Sequence, residues 1–549
     1  MMPRCRRATA TVVRVQVTLT GHAGCYVESG GVSVLCDPWF SPAYFASWFP
    51  FPDNAFLDPE AIGHPTYLYV SHLHKDHFDP EYLARHVDKN TTVLLPEFPL
   101  DELRREFEAL GFTRFVQTTD GAPVDLDGIR VAICTATTPA DGPLGDSTIA
   151  IDDGAVRILN QNDCRPPDID LLKALGPYDL QLLQYSGAIW YPMTYRLDPE
   201  TADRLGRQKR ANQLARATRY ITEIGAAHVI PCAGPPAFLD DDLFDLNDFD
   251  DDPANIFVDQ PAFLRYLAER DVHTAVLMVT GSRATLGPAG HFEIEHPGGD
   301  AHPDRIFSDK KAYLRAFQER RRPQFEVVHH LVAGSSADDH DLVESLAEWI
   351  EPLLAGADRV CEHLGGSIVI DLGSFGVVID PATRQVREWK GEEWEHLFAV
   401  APGLIRWLVE RRTVDWVNEL FLSCRFEAER TGGYNGTVFS FFKCLSPERM
   451  AYLEASLSTT RRAATRRLTD ADKASPGETW RCGDYLVERR CPHLGGDLSR
   501  FGEVDGGVLT CTLHGWRFEL ATGRCLTAER AGLGTEWVGA AAHPPTPSK

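Results

Sequence analysis

Cys491-Pro-His493 and Cys511-Thr-Leu-His514, close to the end of the chain, are the stretches that decide how this sequence is interpreted. Each stretch pairs one cysteine with one histidine, in the spacings C-x-H and C-x-x-H. Between them, Gly506-Gly507 predicts a hairpin turn, so each stretch is expected at the tip of a β-hairpin loop. Two thiolates and two imidazoles on neighbouring loops predict a metal centre in a small β domain.

This pattern resembles the Rieske family, in which two cysteines bind one iron of a [2Fe-2S] cluster and two histidines bind the other. The predicted cluster ligands are therefore Cys491, His493, Cys511 and His514. Zinc is the alternative for such a set, but a zinc finger pairs C-x-x-C with a separate histidine pair. A near copy of the first loop, Cys361-Glu-His363, is followed by no C-x-x-H and is expected to be ordinary loop and strand.

The residues around the predicted cluster indicate a low reduction potential. In the Rieske proteins of respiratory complexes, each loop carries an extra cysteine, and the two form a disulfide. Gly496 and Leu513 stand at the corresponding positions, and Trp516 stands where those proteins carry a hydroxyl that hydrogen-bonds the cluster. Because fewer hydrogen bonds to the sulfurs lower the potential, the resemblance implies an electron donor of the oxygenase or ferredoxin type.

Composition limits the function classes. The 549 residues are 43% hydrophobic and carry a formal net charge of −24, which disfavours a nucleic-acid partner. The thirteen cysteines are dispersed, as in a protein of a reducing compartment without a disulfide scaffold. No apolar run reaches the length of a membrane span. We expect a cytoplasmic protein, and the sequence leaves a homo-oligomer open.

A second group of metal-ligand types lies far from the first. His72-Leu-His74-Lys-Asp76-His77 directly follows the predicted strand Tyr67–Ser71. Four imidazole or carboxylate side chains on one tight loop suit zinc, iron or manganese. The alternative, a polar loop without a metal, does not account for four ligand types in six positions.

This loop resembles the metal-binding motif of the metallo-β-lactamase fold superfamily. Gly21-His22, Asp37-Pro38 and Asn160-Gln-Asn162-Asp163 resemble further motifs of that family, with Asp163 as its bridging aspartate. The resemblance covers roughly the first 235 residues and implies a four-layer αββα sandwich with metals between its halves. His22 is a candidate to line the site.

Two histidines of the superfamily pattern are missing. Residues 135–142 contain none, and Cys232-Ala233-Gly234 stands where another is expected. A two-zinc hydrolase is therefore disfavoured. His72, His74 and Asp163 make the facial triad of a mononuclear Fe(II) centre, with zinc as the alternative metal. Asp76 and His77 either complete the site with Asp163 or act around it in proton transfer.

The predicted fold class is an α/β metallo-β-lactamase-like sandwich (residues 1–300), an α+β middle region (301–465) and a small all-β Rieske domain (466–549). The middle region faintly resembles sterol-carrier-like lipid-binding domains, and its role is unclear. The pairing of the outer two domains resembles the CMP-N-acetylneuraminate hydroxylase family, with the domain order swapped. The stretch Gln184–Tyr195 carries part of that resemblance.

These observations predict a Rieske-type oxygenase, a hydroxylase or monooxygenase. A ferredoxin, cytochrome or reductase would supply electrons to the [2Fe-2S] cluster, and the N-terminal iron would use O2 to oxidise a small-molecule substrate. One alternative is a metallo-β-lactamase-fold hydrolase with a redox-sensing Rieske domain. The other is a non-enzymatic electron-transfer protein.

Overall fold

The computed structural model describes residues 14–137, 144–333, 341–459, 468, 478–493, 495–528 and 531–539. The predicted boundary at 465–466, and most of the segment in which a superfamily histidine is missing, lie outside these ranges. In the part of the chain that is described, no helix has the length and apolar character needed to cross a bilayer. The cysteines within the same ranges form no disulfide with one another.

The N-terminal region contains two β-sheets. The first has the strand order β14-β13-β1-β2-β3-β4-β5-β6 and the second β12-β11-β10-β9-β8-β7. The strands are β1 Val15–Gly21, β2 Gly24–Ser29, β3 Val32–Cys36, β4 Tyr67–Tyr69, β5 Thr92–Leu95, β6 Phe115–Gln117, β7 Val124–Leu126, β8 Ile129–Ala136, β9 Asp146–Asp152, β10 Arg157–Asn162, β11 Leu180–Gln184, β12 His228–Cys232, β13 Arg283–Gly287 and β14 His291–Glu295.

The helices of this region lie outside the two sheets. Leu83 and Phe107 of the first two helices pack on the first sheet, and Leu172 and Leu214 of the next two pack on the second. The helices are α1 Pro80–His86, α2 Glu102–Ala109, α3 Ile169–Ala174, α4 Pro199–Ile224 and α5 Gln260–Ala268.

Alternating side chains build the layers. In β11, Leu180 and Leu182 join the apolar core between the sheets, whereas Leu183 points to the helices. This is the period of two that a strand covered on both faces requires. Helix, sheet, sheet and helix therefore stack as four layers, and the predicted αββα architecture is confirmed.

The middle region is a five-stranded sheet in the order β17-β16-β15-β18-β19, packed against helices. Its sequence copy of the first Rieske loop lies in a helix, so the prediction of loop and strand for Cys361 and His363 was wrong. Its elements are α6 Pro303–Ser308, α7 Lys310–Ala333, α8 Asp341–Ala355, α9 Asp358–Leu364, β15 Ile368–Asp371, β16 Gly376–Asp380, β17 Gln385–Glu388, β18 His396–Val400, α10 Pro402–Glu410, β19 Phe426–Arg430, α11 Gly436–Phe442 and α12 Pro447–Thr459.

The C-terminal domain has two small antiparallel sheets, β20-β21-β25 and β22-β23-β24. The paired strands β22 and β23 place Gly506-Gly507 in a tight hairpin turn, as predicted. Its elements are β20 Thr479–Cys482, β21 Tyr485–Glu488, α13 Leu498–Phe501, β22 Gly502–Asp505, β23 Val508–Cys511, β24 Trp516–Glu519 and β25 Thr535–Trp537.

Candidate metal centre and cluster site

The N-terminal site forms where several strand ends meet at one edge of the sandwich. The parallel pairing of β3 with β4 places Asp37 beside the loop that starts at Val70. The antiparallel pairing of Asn160 with Ile149 brings the first residue of β9, Asp146, beside Asp163 after β10. The carboxyl ends of parallel strands are where sheets of this kind present their binding residues.

The backbone at this edge is unusual. Four residues that are not glycine have a left-handed conformation, with φ between 41° and 52°. Such a conformation is costly for a residue with a β-carbon and is found mainly where surrounding structure enforces it, often at functional sites. The four residues are His22, Asp37, Asn162 and Ala233.

Two groups of ligand atoms form at this edge, and they share His77. One contains His22, Asp76 and His77, the other His72, His77 and Asp163, and the ligand atoms of each group lie within 4.8 Å of one another. His77 Nε2 lies 3.4 Å from Asp163 Oδ1 and 3.7 Å from Asp76 Oδ2. Metal–ligand bonds of about 2.0–2.2 Å would put ligand atoms of one ion about 3–4 Å apart.

The hydrogen bonding of these atoms fits a metal. His77 Nε2, Asp163 Oδ1 and both ring nitrogens of His22 are buried and have no hydrogen-bond partner among the described residues. His22 Nε2 lies 3.0 Å from Asp76 Oδ2, yet not in the alignment of a hydrogen bond. Buried polar atoms without partners are costly. A cation bound among these lone pairs would remove that cost.

Neighbouring side chains orient the candidate ligands. Asp37 Oδ2 lies 3.1 Å from His77 Nδ1 and can accept a hydrogen bond from its N–H, which leaves the Nε2 lone pair for a metal. Tyr44 donates a hydrogen bond to Asp76 Oδ1. The Ser71 hydroxyl lies 3.0 Å from His72 Nδ1 and 3.1 Å from His77 Nδ1.

Carboxylates make the site favourable for positive charge. Burial alone would lower the pKa of His77, but Asp163, Asp76 and Asp37 raise it well above its ordinary value. Burial raises the pKa of Asp146 to about 6, although His72 opposes this. Crowded acidic groups that stabilise a proton on an imidazole would also stabilise a bound metal ion.

Most of the predicted N-terminal ligands come together in the structure. His72, Asp76, His77 and Asp163 belong to the two groups, whereas His74 belongs to neither, although its ring centroid lies 4.4 Å from that of His72. The triad of His72, His74 and Asp163 therefore stays a prediction. Burial lowers the pKa of His74 well below its usual range, which favours the neutral imidazole that a metal binds.

Sequence reasoning missed one residue and underrated another. Asp146 Oδ1 lies 3.3 Å from His72 Nδ1, and Asp146 follows shortly after residues 135–142, in which a superfamily histidine is missing. A single aspartate at the start of a strand carries no motif. His22 was predicted only to line the site, yet it lies within one of the two ligand groups.

The middle region directly contacts the loop from His72 to His77. Asn418 Nδ2 donates to Leu73 O at 2.8 Å, and Asn418 Oδ1 accepts from Lys75 N at 3.2 Å. Lys75 also forms an ion pair with Glu419. Asn418 and Glu419 lie in one turn of π-helix, Val417–Phe421, a rare element that is frequent at functional sites.

The four predicted cluster ligands come together in the C-terminal domain. The rings of His493 and His514 have centroids 5.0 Å apart, and Cys491 and Cys511 are buried. A hydrogen bond from Cys491 and N–H groups of Leu513 and His514 lower the pKa of the Cys511 thiol, despite its burial. Burial lowers the pKa of His493 to about 3.

These residues fit an iron–sulfur cluster. Binding needs thiolates and neutral imidazoles, and the surroundings favour both forms. His493 Nδ1 is buried and has no hydrogen-bond partner among the described residues. The Trp516 ring stacks on that of His493 with centroids 4.2 Å apart, so an apolar ring covers this ligand.

The C-terminal domain rests on helix α4 and the second sheet. Arg216 Nη1 of α4 donates to Leu513 O at 3.3 Å, and the Tyr220 ring contacts that of Phe501. One apolar core contains Leu183 of β11 together with the cluster cysteines. The loop that binds the cluster therefore packs on the layer of the sandwich that carries Asp163.

Comparison with known proteins identifies two parts of the chain. A family model described as the Rieske [2Fe-2S] domain matches residues 480–534. A second, described as the Rv3818-like, SCP2-like domain, matches residues 342–459, in the region for which the sequence suggested a sterol-carrier-like fold.

Two curated relatives are informative. The chain is 44% identical over 522 residues to the protein of Mycobacterium tuberculosis H37Rv named as Rieske 2Fe-2S iron-sulfur protein Rv3818, covering 94% of this chain and 98% of that one. Over 41 residues it is 54% identical to 4beta-methylsterol monooxygenase of Methylococcus capsulatus, covering 8% of this chain and 11% of that one.

Solved structures with metallo-β-lactamase folds are among the structural neighbours. The metallo-beta-lactamase fold protein YhfI of Bacillus subtilis has a TM-score of 0.31 at 14% identity and covers 50% of this chain and 99% of its own. CmlA of Streptomyces venezuelae, a diiron beta-hydroxylase, has a TM-score of 0.31 at 18% identity and covers 51% of this chain and 55% of its own.

Proposed function

Because the chain belongs to the family of Rieske 2Fe-2S iron-sulfur proteins that includes Rv3818 of M. tuberculosis, we propose that it is a Rieske-type oxygenase with a catalytic iron in its N-terminal region. One observation carries the proposal. The cysteines of the Rieske loops share an apolar core with β11, whose neighbour β10 ends beside Asp163. The Rieske domain thus packs on the layer that carries Asp163, one of the two layers that build the N-terminal site.

The chain's residues have distinct tasks in this proposal. Cys491, His493, Cys511 and His514 would hold the cluster, and His72, His77 and Asp163 the iron, with His22 and Asp76 beside them. When bound, the cluster supplies single electrons and the iron activates dioxygen toward a C–H bond. Helix α4 joins the two sites, because Arg216 donates to Leu513 O next to His514 and Leu214 packs in one core with Leu183 of β11. Burial of Cys491, Cys511, His72 and His77 limits the access of water to both sites.

The proposed partners are a ferredoxin, cytochrome or reductase as electron donor, O2 and a small-molecule substrate. The short match to a monooxygenase of M. capsulatus supports a Rieske domain of the oxygenase type within this chain. It covers too little of either chain to suggest a substrate. A cytoplasmic location stays a prediction from the sequence.

Metal analysis tests the proposal. After anaerobic purification with iron present, we expect more than two irons per chain and NAD(P)H-dependent O2 uptake with a reductase. Asp163→Asn should lose the additional iron but keep the cluster absorption. Asp168→Asn, which keeps a cap at the N-terminus of α3, is the control and should keep both. A fully loaded cluster with only zinc in the N-terminal region, and no O2 uptake, would refute the oxygenase.

A single metal ion held by these residues would also suit hydrolysis, because a bound metal turns water into a nucleophile. A hydrolase with a redox-sensing Rieske domain is therefore the second candidate. It predicts ester or phosphodiester cleavage without O2, at a rate that does not change in Cys491→Ser. An oxygenase predicts that this variant abolishes O2-dependent turnover.

A further inference from the structure

Helix α4 directs one polar face toward the cluster loop. Lys209, Gln213 and Arg216 are four and three residues apart, so they lie on the same face. Arg216 Nη1 donates to Leu513 O at 3.3 Å. The loop approaches the helix so closely that a β-carbon on Gly515 would lie 3.0 Å from Asn212 Nδ2. The polar face of α4 therefore meets the loop that contains His514.

Besides Lys209 and Arg216, a third cation lies in the segment that follows Asp163. Arg165 is two residues beyond Asp163, and its Nη2 donates to Gln184 Oε1 at 3.2 Å. Burial together with Arg165 and Arg216 lowers the pKa of Lys209 to about 7. Arg165, Lys209 and Arg216 thus form one cationic cluster, and Arg216 contacts Leu513, the residue before His514.

This cationic cluster lacks a counterion. Over the described ranges, no carboxylate comes within ion-pair distance of Arg165, Lys209 or Arg216, although Asp163 is close enough to act on Arg216 through its charge. Arg216 is 5% exposed. Burying a guanidinium without a paired anion is strongly unfavourable.

Two donors and one acceptor, Gln213 Oε1, are left without partners among the described residues here. Arg216 Nη2 and Gln184 Nε2 are buried and have no hydrogen-bond partner in the described structure. Positive charge with unused N–H groups is the chemistry that binds a carboxylate or phosphate. Arg165 and Lys209 are only half-buried, which leaves the site open to a ligand from solvent.

We propose that Arg165, Lys209, Arg216 and Gln184 form an anion subsite that binds a carboxylate or phosphate group of the substrate. The subsite lies between the loop of His514 and the segment that follows Asp163. That the anion belongs to a substrate rests on the proposed oxygenase function, whereas anion binding itself does not. An anion held here would be fixed relative to the N-terminal metal centre, which would orient the rest of the molecule toward it.

The test uses the full-length protein with its cluster loaded. Inorganic phosphate and octanoate are titrated separately, and the midpoint potential and electron paramagnetic resonance spectrum of the cluster are recorded. A bound anion close to His514 disfavours an added electron, so we expect a saturable fall in potential with at least one probe. Arg216→Gln should weaken the binding of that anion at least tenfold. Arg207→Gln, an exposed residue of the same helix paired with Asp203, should not.

The outcomes separate the possible ligands and the two proposals. A response to phosphate alone indicates a phosphate ester, and a response to octanoate alone a carboxylate. If Arg216→Gln does not fold, Lys209→Gln replaces it. No saturable response, or an unchanged response in these variants, overturns the subsite. A lower potential in Arg216→Gln without any response of the native protein to anions also overturns it, since the cations would then serve only the cluster. None of these results depends on N-terminal iron, so loss of the oxygenase proposal would be recognised separately by metal analysis.

Discussion

At the scale of single residues, the candidate N-terminal metal site depends on side chains that orient its predicted ligands. Asp37 accepts a hydrogen bond from His77 Nδ1 and another from Ser71 N at 2.7 Å. The first bond selects the ring nitrogen that faces Asp163, and the second ties Asp37 to the metal-binding loop. Asp37 adopts a left-handed φ of 41°, so this geometry is maintained against a local conformational cost.

We expect Asp37→Asn to weaken metal binding in the N-terminal region about 10- to 100-fold, as is usual when the partner of a ligating histidine is lost. Competition with a chelator, followed by metal analysis, measures this. Asp153→Asn is the control, because Asp153 accepts a hydrogen bond from Ser29 at the opposite end of the strands. Equal retention of metal by both variants would show that Asp37 has no such role.

Trp516 sets the surroundings of the cluster. Because a tryptophan stacks on His493 where respiratory Rieske proteins carry a hydroxyl, Trp516→Tyr should raise the midpoint potential, by up to about 60 mV for a hydrogen bond of about 1.5 kcal/mol. Trp516→Phe keeps an aromatic ring without the hydroxyl. Redox titration that finds the same potential in both variants would contradict the prediction.

At the scale of elements, the π-helical turn Val417–Phe421 links the SCP2-like region to the metal-binding loop. The extra residue in such a turn changes which side chains face outward. Asn418 and Glu419 then meet the loop backbone and Lys75, while Phe421 faces the apolar core. The middle region is therefore part of the support of the N-terminal site as well as a connection between domains.

Asn418→Ala removes two hydrogen bonds to the backbone of the loop and should lower both stability, by about 1–2 kcal/mol, and metal affinity. Asn435→Ala is a matched control, because Asn435 donates to His363 O and Leu364 O, away from the loop. Thermal unfolding and chelator competition should show a similar loss of stability in both variants. A loss of metal affinity is expected only in Asn418→Ala.

At the scale of the whole molecule, the two ends of the chain are joined through α4. Its Leu214 and Tyr220 pack in the same apolar core as Val229 of the second sheet and Leu513 of the Rieske domain. An ion pair between Arg500 and Asp170 adds a contact at 2.6 Å. Elements that share a core are expected to unfold together.

Leu214→Ala should destabilise this shared core by about 2–5 kcal/mol. Loss of the cluster absorption and loss of β structure should then shift to lower temperature together. Leu397→Ala, which empties a separate core of the middle sheet, should leave the temperature of cluster loss closer to that of the native protein. Loss of the cluster at an unchanged temperature in Leu214→Ala would mean that the Rieske domain is an independent unit.

Many of the ligand loops and strands could be predicted because they depend on residues close together in the sequence. The C-x-H and C-x-x-H loops and the loop from His72 to His77 each place several ligands within a few residues, so a hairpin or a strand end is enough to bring them together. Alternating apolar residues likewise predict strands covered on both faces. The α/β class and the Rieske domain, which follow from such patterns, were confirmed.

By itself, then, the amino-acid sequence determined the ligand types, the local loops and the class of the layers. Only the tertiary structure decided that Asp146 joins His72, that His22 lies within a ligand group and that Arg165 and Arg216 come together beside His514. These contacts join residues far apart in the chain. They arise from strand register and from the burial of helix faces, which depend on the packing of all the layers at once and leave no short motif.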